Sequence, residues 1–271
     1  MSRNLTYKLT HKFQPLDSRD YLYTVDNNFR TQTLTIKSTI TTKPVTTTVP
    51  TTFNLSTMGL VSPILNQGDI GTCVSNAFSL CISSQTKNGV AISRLLHYAM
   101  CRCLDDTPLN DDAGTYVRTA CKVLQSYGAC KENIYPYITT NVYNFPPLTA
   151  FRNCYNFGKF TYIFLTQNLA TIKTCLITYK VPIVFAIMVY SSFLTNTVAT
   201  TGVVPMPNTS HETLEGGHCL NIVGFNDTTQ VFYVANSWGT GWGMRGYCTI
   251  PYAYILNPNL ASDFCFTQFT Y

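Results

Sequence analysis

The stretch NQGDIGTC, Asn66 to Cys73, runs directly into VSNAFSLCISSQ, Val74 to Gln85. In the second string Val74, Ala77, Phe78, Cys81 and Ile82 recur at the i, i+3, i+4, i+7 and i+8 spacing of an amphipathic helix with one buried face. Cys73 therefore stands at a helix N-terminus. Unsatisfied backbone N–H groups and the helix dipole favour an anion there, so the reading expects a thiolate at Cys73. A free cysteine, with a pKa near ~8.5, is only slightly ionised at neutral pH.

Working outward, GGHCLNIVGF (Gly216 to Phe225) and QVFYVANSWGTGWG (Gln230 to Gly243) read as two strands. Cys219, Ile222 and Val223, then Val231, Phe232, Tyr233 and Val234, are β-branched or apolar, and glycines end both runs. His218 opens the first strand and Asn236 closes the second. A thiol at a helix start, an imidazole on one strand and a neutral amide on its neighbour are the nucleophile, base and orienting group of covalent catalysis.

The strings NQGxxGTC, GGHxxNIVG and NSWGxxWG, in this order, resemble the papain (cathepsin-like) family of cysteine peptidases, above all its signal-less members from bacteria and large DNA viruses. SRLLHYAMCRCL, DDAGTYVRTACKVLQSYGACKENIYPY and GYCTIPYAYILNPNLASDFCF extend the resemblance over about residues 13–266. His218 follows Cys73 at a separation within the roughly 130–150 residues of the family pattern. The resemblance implies Cys73 as nucleophile, His218 as its base and then acid, and Asn236 as the group that holds the imidazole. It implies that Gln67 adds a side-chain N–H to an oxyanion hole beside the Cys73 backbone N–H, and that Trp238 shields the Asn–His bond from water. Gly114, in DDAG, is the candidate for backbone contact with an extended peptide, or else serves only to enter the helix expected at 115; Gly217 and Trp238 are further candidates for the substrate-binding surface.

The fold implied is α+β: a papain-like two-lobed arrangement, a helical lobe plus a β-barrel-like lobe, with the active-site cleft between them. Helical patterns at 93–103, 115–127 (closed by Gly128) and 165–179, and strands around 181–190, 218–225, 230–236 and 246–251, divide the chain into a mainly helical 57–150 and a mainly β 151–271. Residues 1–56 form an N-terminal extension with a Thr-rich linker, Thr31 to Thr52, expected to lie across the cleft as an inhibitory pro-segment. Two departures from the family are visible. Ile70 stands where secreted members place a disulfide cysteine, and Val74 replaces their usual tryptophan. Cys219 reads as a small strand residue pointing into the core.

Composition narrows the partners. The 271 residues are 45% hydrophobic, ample for a core, and only 11% charged. A net charge of +5 is scattered singly, without a basic cluster interleaved with aromatics, so no nucleic-acid partner is expected. Val181 to Tyr190, the longest apolar run, is too short to span a bilayer, so no membrane partner is expected either. The first 23 residues show no secretory signal, and eleven cysteines, an odd number, argue against a fully paired secreted framework. The expectation is an intracellular or virion location and a monomer acting on peptide or protein substrates. His97, Cys101, Cys103 and Cys121 lack a matching ligand pair, so neither metal nor cofactor is expected. The expected activity is that of an endopeptidase; the alternatives are a transglutaminase-like acyltransferase and an exopeptidase variant of the same fold, the latter kept open by His211.

Overall fold

The structure, a computed structural model, describes residues 7–14, 22–23, 49–86, 90–154 and 159–270. Most of the Thr-rich stretch lies outside these residues. Helix α1 (Cys73–Gln85) begins where the apolar period places it, but every residue from Cys73 to Ser83 is buried, not one face alone. Its second face is lined by small polar side chains, several of which are hydrogen-bonded. Ser79 Oγ donates to the Ile92 carbonyl (3.3 Å), Ser83 Oγ to the Ser79 carbonyl (2.8 Å) and Asn76 Nδ2 to the Thr72 carbonyl (3.0 Å). Such bonds let a helix be enclosed on all sides, with Ser75 Oγ left buried without a partner among the described residues.

One flank of α1 is covered by α2 (Arg94–Leu104) and α3 (Val117–Ser126), close to the expected bounds. Ser93 caps α2 by accepting from Leu96 N (3.3 Å), and Gly128 follows α3 at φ +71 with its N–H on the Leu124 carbonyl (3.1 Å), the left-handed ending glycine supplies without Cβ strain. A short helix, α4 (Leu148–Arg152), ends this half.

The other flank meets a sheet built from β1 (Leu22–Tyr23), β2 (Thr52–Asn54), β3 (Lys159–Leu165), β4 (Ile183–Tyr190), β5 (Leu214–Asn226), β6 (Val231–Ala235), β7 (Tyr247–Pro251) and β8 (Ala261–Thr270). Its order is β1-β3-β8-β4-β5-β6-β7, with β2 beside β5; all pairs are antiparallel except β1 with β3. Strand alternation sorts side chains between two cores. Val184, Cys219 and Cys265 face α1 and α3, while Phe185, Leu220 and Phe266 join the core under α5 (Leu169–Tyr179). Cys219 is thus a buried strand residue, and Asn221 Nδ2 ties β5 to α1 through the Ala77 carbonyl (3.2 Å). The remaining helices, α6 (Asn196–Thr201) and α7 (Tyr252–Ile255), are short connections.

The helix expected over 165–179 is present as α5, starting four residues later, and only Leu165 of that range belongs to the strand before it. Asn168 accepts from Thr171 N (2.8 Å) and caps α5, while the aromatic run before it forms β3. β3 and β8 pair along Lys159–Phe164 with Thr270–Cys265, a long-range match that local periodicity cannot announce. Thr52–Asn54, at the end of the expected extension, form β2 on β5, and Leu55 is fully buried.

Candidate active site

Cys73 is the first residue of α1, behind an N-cap, Thr72, whose hydroxyl meets Tyr137 Oη and accepts from Asn76 Nδ2 (3.0 Å). The loop before it is pinned by Asp112. One carboxylate accepts from Gly71 N through both oxygens (3.0 and 2.9 Å), from Tyr98 Oη (2.7 Å) and from Lys8 Nζ (2.8 Å). A nearly buried carboxylate held by several donors orients the backbone around Cys73.

Gln67 is fully buried in the same loop. Its Oε1 accepts from Ser237 Oγ (2.7 Å), which fixes the amide so that Nε2 donates to the Ile70 carbonyl (3.1 Å) and to the Lys8 carbonyl (3.2 Å).

On the sheet side, His218 Nε2 and Asn236 Oδ1 are 2.8 Å apart. Ser237 N also donates to that oxygen (2.8 Å), so Oδ1 is the acceptor, Nε2 carries the proton and Nδ1 is left as the basic nitrogen. Nδ1 has no hydrogen-bond partner. Trp238 stacks on the imidazole (centroids 4.8 Å, 23°) and is itself covered by Tyr7 (3.9 Å, 4°). Gln67, bonded to Ser237 beside Asn236, joins the loop before Cys73 to the sheet side of the cleft.

Residues 7–14 lie along this cleft. His11 N donates to the Gly217 carbonyl (3.0 Å) and Lys12 N to the Thr115 carbonyl (3.3 Å). A Cβ at Gly114 would fall 1.7 Å from the Thr10 carbonyl oxygen, and one at Gly217 would fall 2.3 Å from that of His11. Glycine is needed at both because another backbone comes this close. Gly114 also has φ +77, and its own N–H goes to Tyr98 Oη (2.9 Å), so what it offers the segment is space while Thr115 makes the backbone bond.

The thiolate expected from the helix start is not the form in this arrangement. Burial pushes the Cys73 thiol up to about 11, and the N–H groups of Cys219, Thr10, Val74 and Cys73 itself only partly offset it. Burial likewise lowers His218 to about 4, against the Asn236 bond that raises it, with His11 adding a smaller lowering. Desolvation outweighs the helix terminus, and both groups are neutral at pH 7.

Asp112, Tyr137, Ser237 and the segment's own side chains were not read from the sequence as parts of this site. DDAG contains Asp112, but nothing local distinguishes it from a helix-entry acid until Gly71, 41 residues away, is seen on its carboxylate. His211, weighed for an exopeptidase, is exposed and within 3.2 Å of Asn208 Oδ1 through Nδ1.

Comparison with known proteins places this arrangement. The chain is 33% identical to a peptidase C1-like protein of Acanthamoeba polyphaga mimivirus, over 99% of this chain and 88% of that one. Its fold matches that of xylellain, a cysteine protease from Xylella fastidiosa, with TM-score 0.82 and 27% identity over 100% of this chain and 99% of the other. A procathepsin B from Trypanosoma congolense shares the fold more loosely (TM-score 0.60, 20% identity, 83% and 78% covered). The profile of papain family cysteine proteases matches residues 49–263, so this α+β chain belongs to the papain family of cysteine proteases.

Proposed function

We propose that the chain is a cysteine endopeptidase working through a Cys73 thioester, and that residues 7–14 hold it inactive in the arrangement described above. The observation that carries this reading is an extended peptide segment lying against Gly114 and Gly217 with its Lys8 carbonyl on Gln67 Nε2. A cleft that takes eight residues of a chain continuing at both ends suits internal peptide bonds rather than chain termini.

In the mechanism, the Cys73 proton passes to His218 Nδ1 and the sulfur attacks the scissile carbonyl carbon. Gln67 Nε2 and the Cys73 N–H stabilise the oxyanion, His218 returns the proton to the leaving amine, and water then cleaves the thioester with His218 as base. Asn236 keeps Nδ1 free for this work, and Trp238 keeps water from the Asn–His bond. The eleven cysteines are all free thiols, which supports a reducing compartment, intracellular or virion. No helix among the described residues is long and apolar enough to cross a membrane.

The direct test is treatment with an epoxide-type thiol inactivator followed by mass spectrometry. Labelling at Cys73 alone, blocked together with hydrolysis, is the expected outcome; stoichiometric loss of activity with the adduct on another cysteine would remove Cys73 from the role.

The restraint is tested by Tyr7→Ala with His11→Ala in the full chain. Losing one aromatic stack (~0.5–1.5 kcal/mol) and the His11 hydrogen bond to the Asp263 carboxylate (~1.5–3 kcal/mol) should raise the open fraction, and basal hydrolysis with it, by about 30–2,000-fold. The pH profile should move as well. With the segment seated, Cys73 is raised to about 11 and His218 lowered to about 4, so both are neutral between those limits. When water returns, the thiol falls and the imidazole rises, so the rate of iodoacetamide alkylation should climb at lower pH in the double variant than in the parent. Unchanged hydrolysis and an unmoved alkylation profile would refute the restraint.

A further inference from the structure

We infer that Arg94 and Tyr137 are positioning residues for the reaction, which together set where Gln67 aims its Nε2; this rests on the peptidase reading above. Arg94 is the first residue of α2 and is nearly buried. A cation at a helix N-terminus opposes the helix dipole, so the position does not serve the helix itself. Glu132 offsets the mismatch: its Oε2 accepts from Arg94 N (3.0 Å), and its Oε1 accepts from Arg94 Nε (3.1 Å) and Nη2 (2.7 Å). With that edge of the guanidinium held, Nη1 reaches inward and donates to the Asn66 carbonyl (3.2 Å) and to Asn76 Oδ1 (2.8 Å).

Tyr137 carries the second half of the device. The guanidinium carbon of Arg94 lies 3.6 Å from the Tyr137 ring centroid, so cation and ring fix each other. The Tyr137 hydroxyl donates to the Gln67 carbonyl (2.9 Å) and meets Thr72 Oγ1. Burial pushes this hydroxyl up to about 12, so it keeps the proton it donates. The loop 66–72 is thus gripped from the helical half at both ends, through the carbonyls of Asn66 and Gln67 and the side chain of Thr72. From the sheet half, the Ser237 carbonyl accepts from Gln67 N (2.8 Å), and Ser237 Oγ donates to Gln67 Oε1 (2.7 Å). Gln67 therefore hangs between the two halves, and no disulfide ties its loop down, because every cysteine is a free thiol. An oxyanion donor works only where the oxyanion forms, and a shift on the order of 1 Å caused from a distance can cost about 10²-fold. Arg94 and Tyr137 act on the chemistry in this way, through Gln67.

The test compares two reactions of the full-length protein. Peptide hydrolysis needs the oxyanion donor, whereas alkylation of Cys73 by iodoacetamide attacks a saturated carbon and forms no oxyanion. Both need an open cleft, so the quotient of kcat/KM for a peptide over the alkylation rate constant does not depend on how firmly residues 7–14 are seated. Tyr137→Phe keeps the ring against the guanidinium and removes the hydroxyl; the quotient should fall about 3- to 10-fold, the scale of one hydrogen bond, with the loss in kcat rather than KM. Arg94→Gln should lower it about 10- to 100-fold, short of the ~10²–10³ for outright loss of a donor. Arg94→Lys keeps the charge but not the planar fork, and should fall between Arg94→Gln and the parent. In a Gln67→Ala background no donor is left to misplace, so Tyr137→Phe and Arg94→Lys should change the quotient by less than about twofold. An unchanged quotient in Tyr137→Phe and Arg94→Lys overturns the positioning role. So does an equal loss with and without Gln67, the mark of a loop that has merely loosened. Parent protein that hydrolyses no peptide, and whose Cys73 resists the thiol inactivator, overturns the peptidase reading and this role with it.

Discussion

Cys73→Ala is expected to lower peptide hydrolysis by about 10⁴- to 10⁶-fold, the range seen when a covalent nucleophile is removed and only binding and oxyanion stabilisation remain. No other thiol can take its place. Cys219, the next residue after His218, lies on β5 in the core against α1 and α3. The substitution removes a single sulfur atom, and the contacts that shape the surrounding loop come from Asp112, Thr72 and Asn76 rather than from the thiol. Thermal unfolding should therefore change little, and the variant should lose labelling by the epoxide. Measured kcat/KM within tenfold of the parent would exclude Cys73 as the nucleophile.

Gln67→Glu is expected to reduce kcat by about 10²–10³-fold, the usual effect of losing one oxyanion donor. Glutamate has the same shape, but its carboxylate accepts and cannot donate. Ser237 Oγ can still bond to it, whereas the carbonyls of Ile70 and Lys8 now face an acceptor. Part of the change therefore falls on the loop and on the seating of the N-terminal segment. Two readouts separate these effects. Loss of an oxyanion donor lowers kcat while the alkylation rate of Cys73 stays at or above that of the parent, whereas a collapsed loop slows both. Gln67→Ala should behave in the same direction. A variant with normal kcat would remove Gln67 from the oxyanion hole.

The helical half was largely legible because α1, α2 and α3 carry their signals locally: an apolar stripe, Ser93 as N-cap and Gly128 after the last turn. The strands β4, β5, β6 and β7 were equally readable from short apolar runs. β3 and β8 were not, because each is stabilised by the other across about a hundred residues, and FTYIFL alone fits either a buried helix segment or a strand. In the cleft, Cys73, His218, Asn236 and Gln67 stood out by their surroundings in the sequence, while Asp112 and Asp263 did not. An aspartate in DDAG or SDF carries no mark of its partner until folding brings Gly71 or His11 to it.

Sequence by itself thus determined the family, the helix that begins at Cys73 and the order of thiol, imidazole and amide along the chain. These depend on short-range patterns of apolar spacing and turn residues. Tertiary structure alone decided the charge on those groups and the company they keep. The helix start favours a thiolate, yet burial pushes the Cys73 thiol up to about 11 and lowers His218 to about 4. Burial is the sum of contacts from distant parts of the chain, and the desolvation it imposes exceeds what one helix terminus returns.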